Sequence, residues 1–154
     1  GPNFDSVLAQ GELMFFITPF SNIRLGGERD FVDSFYANYF VKNGGYLSFQ
    51  QMIGGIVLIT LRGEVYYRDY ATFSGPTAGG AVPTYSERND IWTSASLLVE
   101  WRAIEWLSFF ASGEYMADIT EFGYQMTNED TGEVIETGAG FHKFVVFGGA
   151  RVHY

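Results

Sequence analysis

The sequence predicts an all-β chain: one transmembrane antiparallel up-and-down β-barrel domain, residues 1–154. Three observations carry this. Apolar and polar residues alternate with period two in stretch after stretch. The connections alternate between short and long. The apolar set holds no charge at the strand centres. Successive strand side chains point to opposite faces, so period two means two different surroundings. No 3.6-residue period competes with it.

Taken in order, Val7, Ala9, Gly11, Leu13, Phe15 and Ile17 form one face of the first strand, against Gln10 and Glu12. Residues 18–22, with Pro19, read as a turn. Ile23, Leu25 and Gly27 then alternate with Arg24, Gly26 and Glu28. From Phe35 the pattern resumes and passes in phase through Asn43-Gly44-Gly45 to Ile53. Asn-Gly is a strong hairpin signal, because both central residues of that turn need positive φ. One long strand and two short ones therefore both fit residues 35–53. Gly54-Gly55 is the next turn. Val57, Ile59, Leu61, Gly63, Val65 and Tyr67 oppose Thr60, Arg62, Glu64, Tyr66 and Arg68. A loop over 74–90 follows, and then Thr93 to Trp101 alternate with Ser94 to Arg102. A tight connection at 103–105 leads into Leu107 to Tyr115, set against Ser108 to Met116. A second long loop, about 118–140, holds six acids and no base. Phe144, Val146, Gly148, Ala150, Val152 and Tyr154 close the chain, opposite Arg151 and His153. Gly27-Glu28, Gly63-Glu64 and Gly113-Glu114 recur mid-strand with Gly outward and Glu inward, a weak repeat of hairpins in one register.

Composition narrows the function. Aromatics are 18% and charged residues only 18%, below the usual quarter. There is no Cys, which excludes a disulfide framework and a thiolate metal site. A net charge of −9 without a basic run argues against nucleic acid. No window reaches the roughly 18–20 apolar residues of a membrane helix; Met52–Leu61 comes nearest and is split by Gly54-Gly55. No signal peptide is present, as in a mature form or a cytoplasmic protein. Gly1-Pro2 reads as a protease-cleavage remnant.

The polar face reads as a lumen. It carries Glu12, Arg24, Glu28, Arg62, Glu64, Arg68, Glu100, Arg102, Glu114 and Arg151, five acids balanced by five Arg. In a narrow barrel these must pair, Arg62 with Glu100 or Glu114 for example, because an unpaired buried charge is costly. The apolar face reads as lipid-facing. Phe20, Trp101, Trp106 and Tyr154 fall at the short-turn ends, and Tyr70, Phe73, Trp92 and Phe141 at the long-loop ends. Two such belts are what interfacial anchoring predicts.

Val99-Glu-Trp-Arg-Ala-Ile-Glu-Trp-Leu-Ser-Phe-Phe-Ala-Ser-Gly-Glu-Tyr115 resembles the strand–turn–strand hairpins of Gram-negative outer-membrane β-barrels, the porin-like proteins. The terminal stretch, with Phe144, Val146, Val152 and Tyr154, resembles their C-terminal assembly signal, although Gly148 and Ala150 are small where larger residues are frequent. The resemblance implies a bacterial outer-membrane location, contact with lipid and lipopolysaccharide, and handling by the barrel-assembly machinery. A hairpin at Asn43-Gly44 gives eight strands and a closed small barrel; one strand there gives seven. Seven would make the chain the C-terminal part of a larger barrel, or a share of one completed by another chain. The Gly-Glu repeat and the continuous parity favour seven; a self-sufficient chain favours eight, since single-chain bacterial barrels are even-numbered.

No metalloprotease helix motif, nucleophile elbow or phosphate loop occurs. His142 and His153 lie at opposite ends of the last strand. No cofactor, metal or catalytic residue is expected. Residues 128–133 carry acids that would hold Ca²⁺ only loosely, and read as a solvated loop. The expected function is a pore or translocation conduit if the barrel is wide, or a structural or adhesive barrel with exposed loops if it is narrow. The competing classes are a soluble lipocalin-like carrier, which needs the faces reversed, and a rim-active barrel enzyme using His142.

Overall fold

A computed structural model describes residues 7–33, 39–70, 82–83, 88–127 and 133–153. Ten strands occur in them: β1 (Ala9–Thr18), β2 (Ser21–Asp33), β3 (Tyr39–Ile53), β4 (Val57–Tyr70), β5 (Val82–Pro83), β6 (Asn89–Ile104), β7 (Leu107–Thr120), β8 (Gly123–Thr127), β9 (Val134–Gly138) and β10 (Phe141–Val152). Seven of them form one antiparallel up-and-down sheet in the order β1-β2-β3-β4-β6-β7-β10. β5, β8 and β9 form a separate small sheet. No pairing joins β1 to β10 among the described residues.

The Asn43-Gly44 hairpin does not form. Those residues lie inside β3, which pairs without a break with β2 on one side and β4 on the other. A turn of that type needs positive φ, and among the described glycines only Gly54 and Gly55 have it, at 59° and 72°. The large sheet therefore has seven strands, and Phe35 and Ala37 lie outside the described residues. The other short turns fall at Pro19-Phe20 and at Glu105-Trp106, the latter just after the expected 103–105 because β6 runs on to Ile104 past an irregularity at Arg102. The two long connections are shorter than expected at their edges. β6 begins at Asn89, β7 reaches Thr120, and the acidic stretch after it contains the β8–β9 hairpin. Residues 128–132, most of the loose Ca²⁺ stretch, lie outside the description.

Glycine has a different task in β3. A Cβ on Gly44 would sit 2.7 Å from Tyr66 Cα and 2.9 Å from its ring, and closer still to the Val65 carbonyl. On the same face Tyr46 lies over Gly26, and Phe110 lies over Gly149. An aromatic on a neighbouring strand thus fills the space that a missing side chain leaves, in the manner of aromatic rescue of a strand glycine. Gly63, on the opposite face, has open space around it. Gly44→Val is expected to destabilise the folded chain by about 1–3 kcal/mol through overpacking. Gly63→Ala should be neutral or stabilise by up to about 1 kcal/mol, because Gly in a strand interior is itself unfavourable. Urea unfolding of both variants, followed by Trp fluorescence, checks the contrast.

On the inner strands β4, β6 and β7 side-chain exposure separates the two faces. Leu61, Val65 and Tyr67 of β4, Ile91, Leu97 and Trp101 of β6, and Phe109, Tyr115 and Ile119 of β7 are exposed large apolar groups of one face. The polar residues between them are half-buried or buried, with Ser94, Ser108, Asp90 and Asp118 removed from solvent. Among the described residues the buried apolar set is only Tyr66, Ala117 and Phe122, all toward the long-loop rim. A water-soluble sheet has the reverse arrangement, because burying a large apolar side chain is worth roughly 1.5–3 kcal/mol.

Candidate functional site

The cross-strand register places all ten predicted lumen residues on the polar face. This follows from a local rule: each residue's side is set by strand parity, and the register preserves parity across every junction except at the two short-turn irregularities, Phe16/Thr18 and Arg102/Ile104. One transverse row reads Glu12, Gly26, Tyr46, Glu64, Ser94, Met116, Lys143. The next reads Met14, Arg24, Ser48, Arg62, Ser96, Glu114, Val145.

The pairs formed differ from those expected. Arg62 stands opposite Ser96, and its ion pair among the described residues is with Glu64 and not with Glu100 or Glu114. It bonds Glu64 two residues along its own strand, and its guanidinium lies 3.8 Å over the Tyr46 ring. The Tyr46 hydroxyl donates to Glu12 two strands away, which the missing side chain at Gly26 permits. A relay from Glu12 through Tyr46 and Arg62 to Glu64 therefore crosses four strands. Beside it Lys42 bonds Glu28 and lies 3.8 Å over the Tyr66 ring. Arg151 donates to Glu100 at 3.2 Å, reaching across β7. Arg102 lies on this face at the short-turn end, and Glu114 faces Ser96 and Val145. Such contacts join charge to aromatic faces, a favourable arrangement for desolvated cations.

The tightest constellation is at the long-loop rim. Arg88 donates from Nε to Asp90 at 2.8 Å, and its Nη2 lies 2.6 Å from the same oxygen. Arg88 and Arg68 both approach Asp118, at 3.9 and 3.8 Å. Asp90 is completely buried, and Arg88 lies over Tyr70 and Phe122. Burial by itself lowers the Arg88 pKa; the hydrogen bond to Asp90 and its charge more than reverse this and hold it above the ordinary guanidinium range. Of this cluster only Arg68 was singled out by sequence pattern. Arg88, Asp90 and Asp118 fall in stretches read as loop, although Asp90 shares the parity of Trp92 and Ser94, which is a signal for the polar face.

The aromatic belts are partly redrawn. Phe20 and Trp106 are exposed at the short turns, and Trp101 stacks on Phe109 at 6.0 Å on the apolar face. Tyr70 and Trp92, however, lie on the polar face, where Tyr70 underlies Arg88, and Trp92 lies beside Tyr66 and under Arg68. Phe141 pairs with Asp118, which gives it the parity of the polar face too. By parity all three share the polar face toward the long-loop rim, opposite the exposed apolar side chains that a lipid belt would join. The apolar-face aromatics toward that rim are Phe31 with Tyr39, Tyr67 and Tyr115. Phe73 and Tyr154 lie outside the described residues. Phe144, Val146 and Val152 of the terminal strand are exposed on the apolar face.

Among the described residues the partner of His142 is Tyr115, whose hydroxyl lies 2.7 Å from its Nδ1 on the apolar face. His153 Nε2 lies 3.1 Å from Ser108 Oγ, a hydroxyl fully shielded from solvent. Among the described residues no three His, Cys, Asp or Glu side chains gather as a metal site.

Fold and site together define an antiparallel up-and-down sheet with one charged, internally paired face and one exposed apolar face. No protein-family model, curated protein or solved structure matches the chain.

Proposed function

We propose that the chain is wall of a bacterial outer-membrane β-barrel, with its apolar face in lipid and its polar face lining a water-filled conduit. The single observation that carries this is the inverted distribution: exposed Leu61, Leu97, Phe109 and Phe144 on one face, and Glu12, Arg62, Glu64 and Arg151 on the other. In a bilayer the first face satisfies the hydrocarbon and the second must meet water or partner charges. The ion pairs run along a strand or between near neighbours, as Arg62–Glu64 and Lys42–Glu28 do. They coat a wall and do not need a counter-wall to neutralise them, which favours a conduit over a plugged scaffold. The barrel-assembly machinery and lipopolysaccharide are the partners that this reading brings, and no catalysis is assigned to it.

The chain reconstituted in planar bilayers, in its complete barrel, is expected to give stepwise ohmic current. Replacing Arg62 by Ala should shift the ion selectivity toward cations, because the conduit loses a fixed positive charge. Bilayers that take up the protein without current would end the conduit reading in favour of a structural or adhesive barrel. A chain that stays monomeric in buffer without detergent would remove both.

A further inference from the structure

The two edges of the sheet run in the same direction. Each of the six junctions from β1 to β10 is antiparallel, and six reversals bring β10 back to the direction of β1. Both edges present a row of backbone N–H and C=O groups, over Ala9–Thr18 and Phe141–Val152. In lipid an open edge is not tolerated, because no water is there to take those bonds. Something covers both.

A direct β1–β10 seam would be parallel. Head-to-tail pairing of two copies would put the same two edges together and would also be parallel. Copies inserted with one orientation cannot escape this by joining like edges, since β1 against β1 then also runs in one direction. Parallel ladders have slanted bonds and are the less stable per residue. Only a strand running the opposite way continues the antiparallel ladder at either edge. A run of strands that does so at both edges has an odd number of members.

The inner faces of the edges give the chemistry of that run. In the row that contains Arg24, Ser48, Arg62, Ser96 and Glu114, the two end members are Met14 and Val145. In the next row, Asn22, Gln50, Thr60, Leu98 and Ser112 end on Phe16 and Phe147. Phe16 is 73% exposed and Phe147 63%, both on the polar face. These two lumen rows thus turn apolar at both open edges and at the same level, whereas the row of Glu12 and Lys143 ends charged at both.

Resting on the membrane-wall reading, we infer that the barrel is completed by an odd number of further strands, antiparallel to both β1 and β10. They are outer-membrane-type strands, apolar on the lipid side, and apolar also on the lumen side at the level of Phe16 and Phe147. Neither the chain's own opposite edge nor a second copy is the occupant.

The chain has no Cys, so spin labels can be placed at single sites. Leu13→Cys and Phe144→Cys put one on each edge strand, on the lipid side. The 154-residue chain is inserted in phosphatidylcholine vesicles, and quenching of its Trp fluorescence by brominated lipid reports insertion. The doubly labelled chain, and a mixture of the two singly labelled chains, are expected to show no dipolar broadening of adjacent strands, whose Cα atoms are about 5 Å apart. The probe is then a synthetic peptide of residues 57–70, the β4 sequence with Thr60→Leu to make it apolar at the level of Phe16 and Phe147, which runs opposite to β1 and β10 in the sheet. Labelled at its first or last residue, it should broaden the signal at both edges in antiparallel order. Broadening between Leu13 and Phe144 sites, within one chain or between copies, overturns the inference, as does parallel binding or no binding of the peptide. Absence of Trp quenching instead defeats the membrane-wall reading itself.

Discussion

Arg88→Met is expected to cost the folded chain about 3–5 kcal/mol, the penalty for stranding a buried charge. The reason is the position of Asp90, whose side chain is fully buried and accepts both Arg88 contacts on a single oxygen. Arg88 is itself largely covered, lying over the rings of Tyr70 and Phe122. Met keeps much of the apolar stem and its packing, so the loss is electrostatic and not a cavity. Among the described residues Asp118 keeps the 3.8 Å approach of Arg68. The double variant Arg88→Met/Asp90→Asn carries no stranded charge from this pair, and should recover part of the loss. Urea unfolding of the wild type, both single variants and the double variant, followed by Trp92 fluorescence, gives the coupling. Equal stability of Arg88→Met and the wild type would mean that water reaches Asp90 and that the rim cluster is not dry.

On the proposed membrane-wall reading, Leu97→Arg is expected to cost about 2–4 kcal/mol in a bilayer, the cost of an Arg facing lipid at mid-depth. Leu97 is exposed near the middle of β6, and stands between Leu61 and Gly113 in a transverse row of the apolar face. Its neighbour Ser96 points the other way, beside Arg62 and Glu114. Ser96→Arg should be within about 1 kcal/mol of wild type, since a charge in water beside other charges contributes little. Folding titrations into phosphatidylcholine vesicles measure both. The comparison also discriminates between membrane and aqueous surroundings. Were the apolar face in water, Leu97→Arg would improve solubility at almost no cost in stability, and the ranking of the two variants would disappear.

Much of this was legible in the chain because strand parity is a local property. Leu61 and Arg62 point to opposite faces whatever their neighbours are, so the ten charged residues could be assigned to one face from spacing alone. The same parity was available for Trp92 and Tyr70, which share it with Ser94 and Arg68; position near a strand end obscured it. The pairing of charges was not legible. Arg62 misses Glu100 and Glu114 because its partner depends on the register of β4 with β6, and on the space that Gly26 leaves for Tyr46. The rim cluster was hidden for a related reason: its residues come from three separate stretches, around Arg68, Asp90 and Asp118, brought together by two junctions.

Asn43-Gly44 marks the boundary between the two kinds of information. As a dipeptide it suits a hairpin, and the in-phase alternation through it suits a strand. The choice is made by β2 and β4 on either side, which offer a continuous ladder, and by Tyr66, which occupies the space above Gly44. That choice makes the sheet seven-stranded and points both of its edges the same way. Side-chain alternation belongs to the chain alone, because each pair of successive residues fixes its own two directions. Strand number, charge partners and the open edges belong to the tertiary structure, because each is a sum over hydrogen-bonded junctions between residues far apart in sequence.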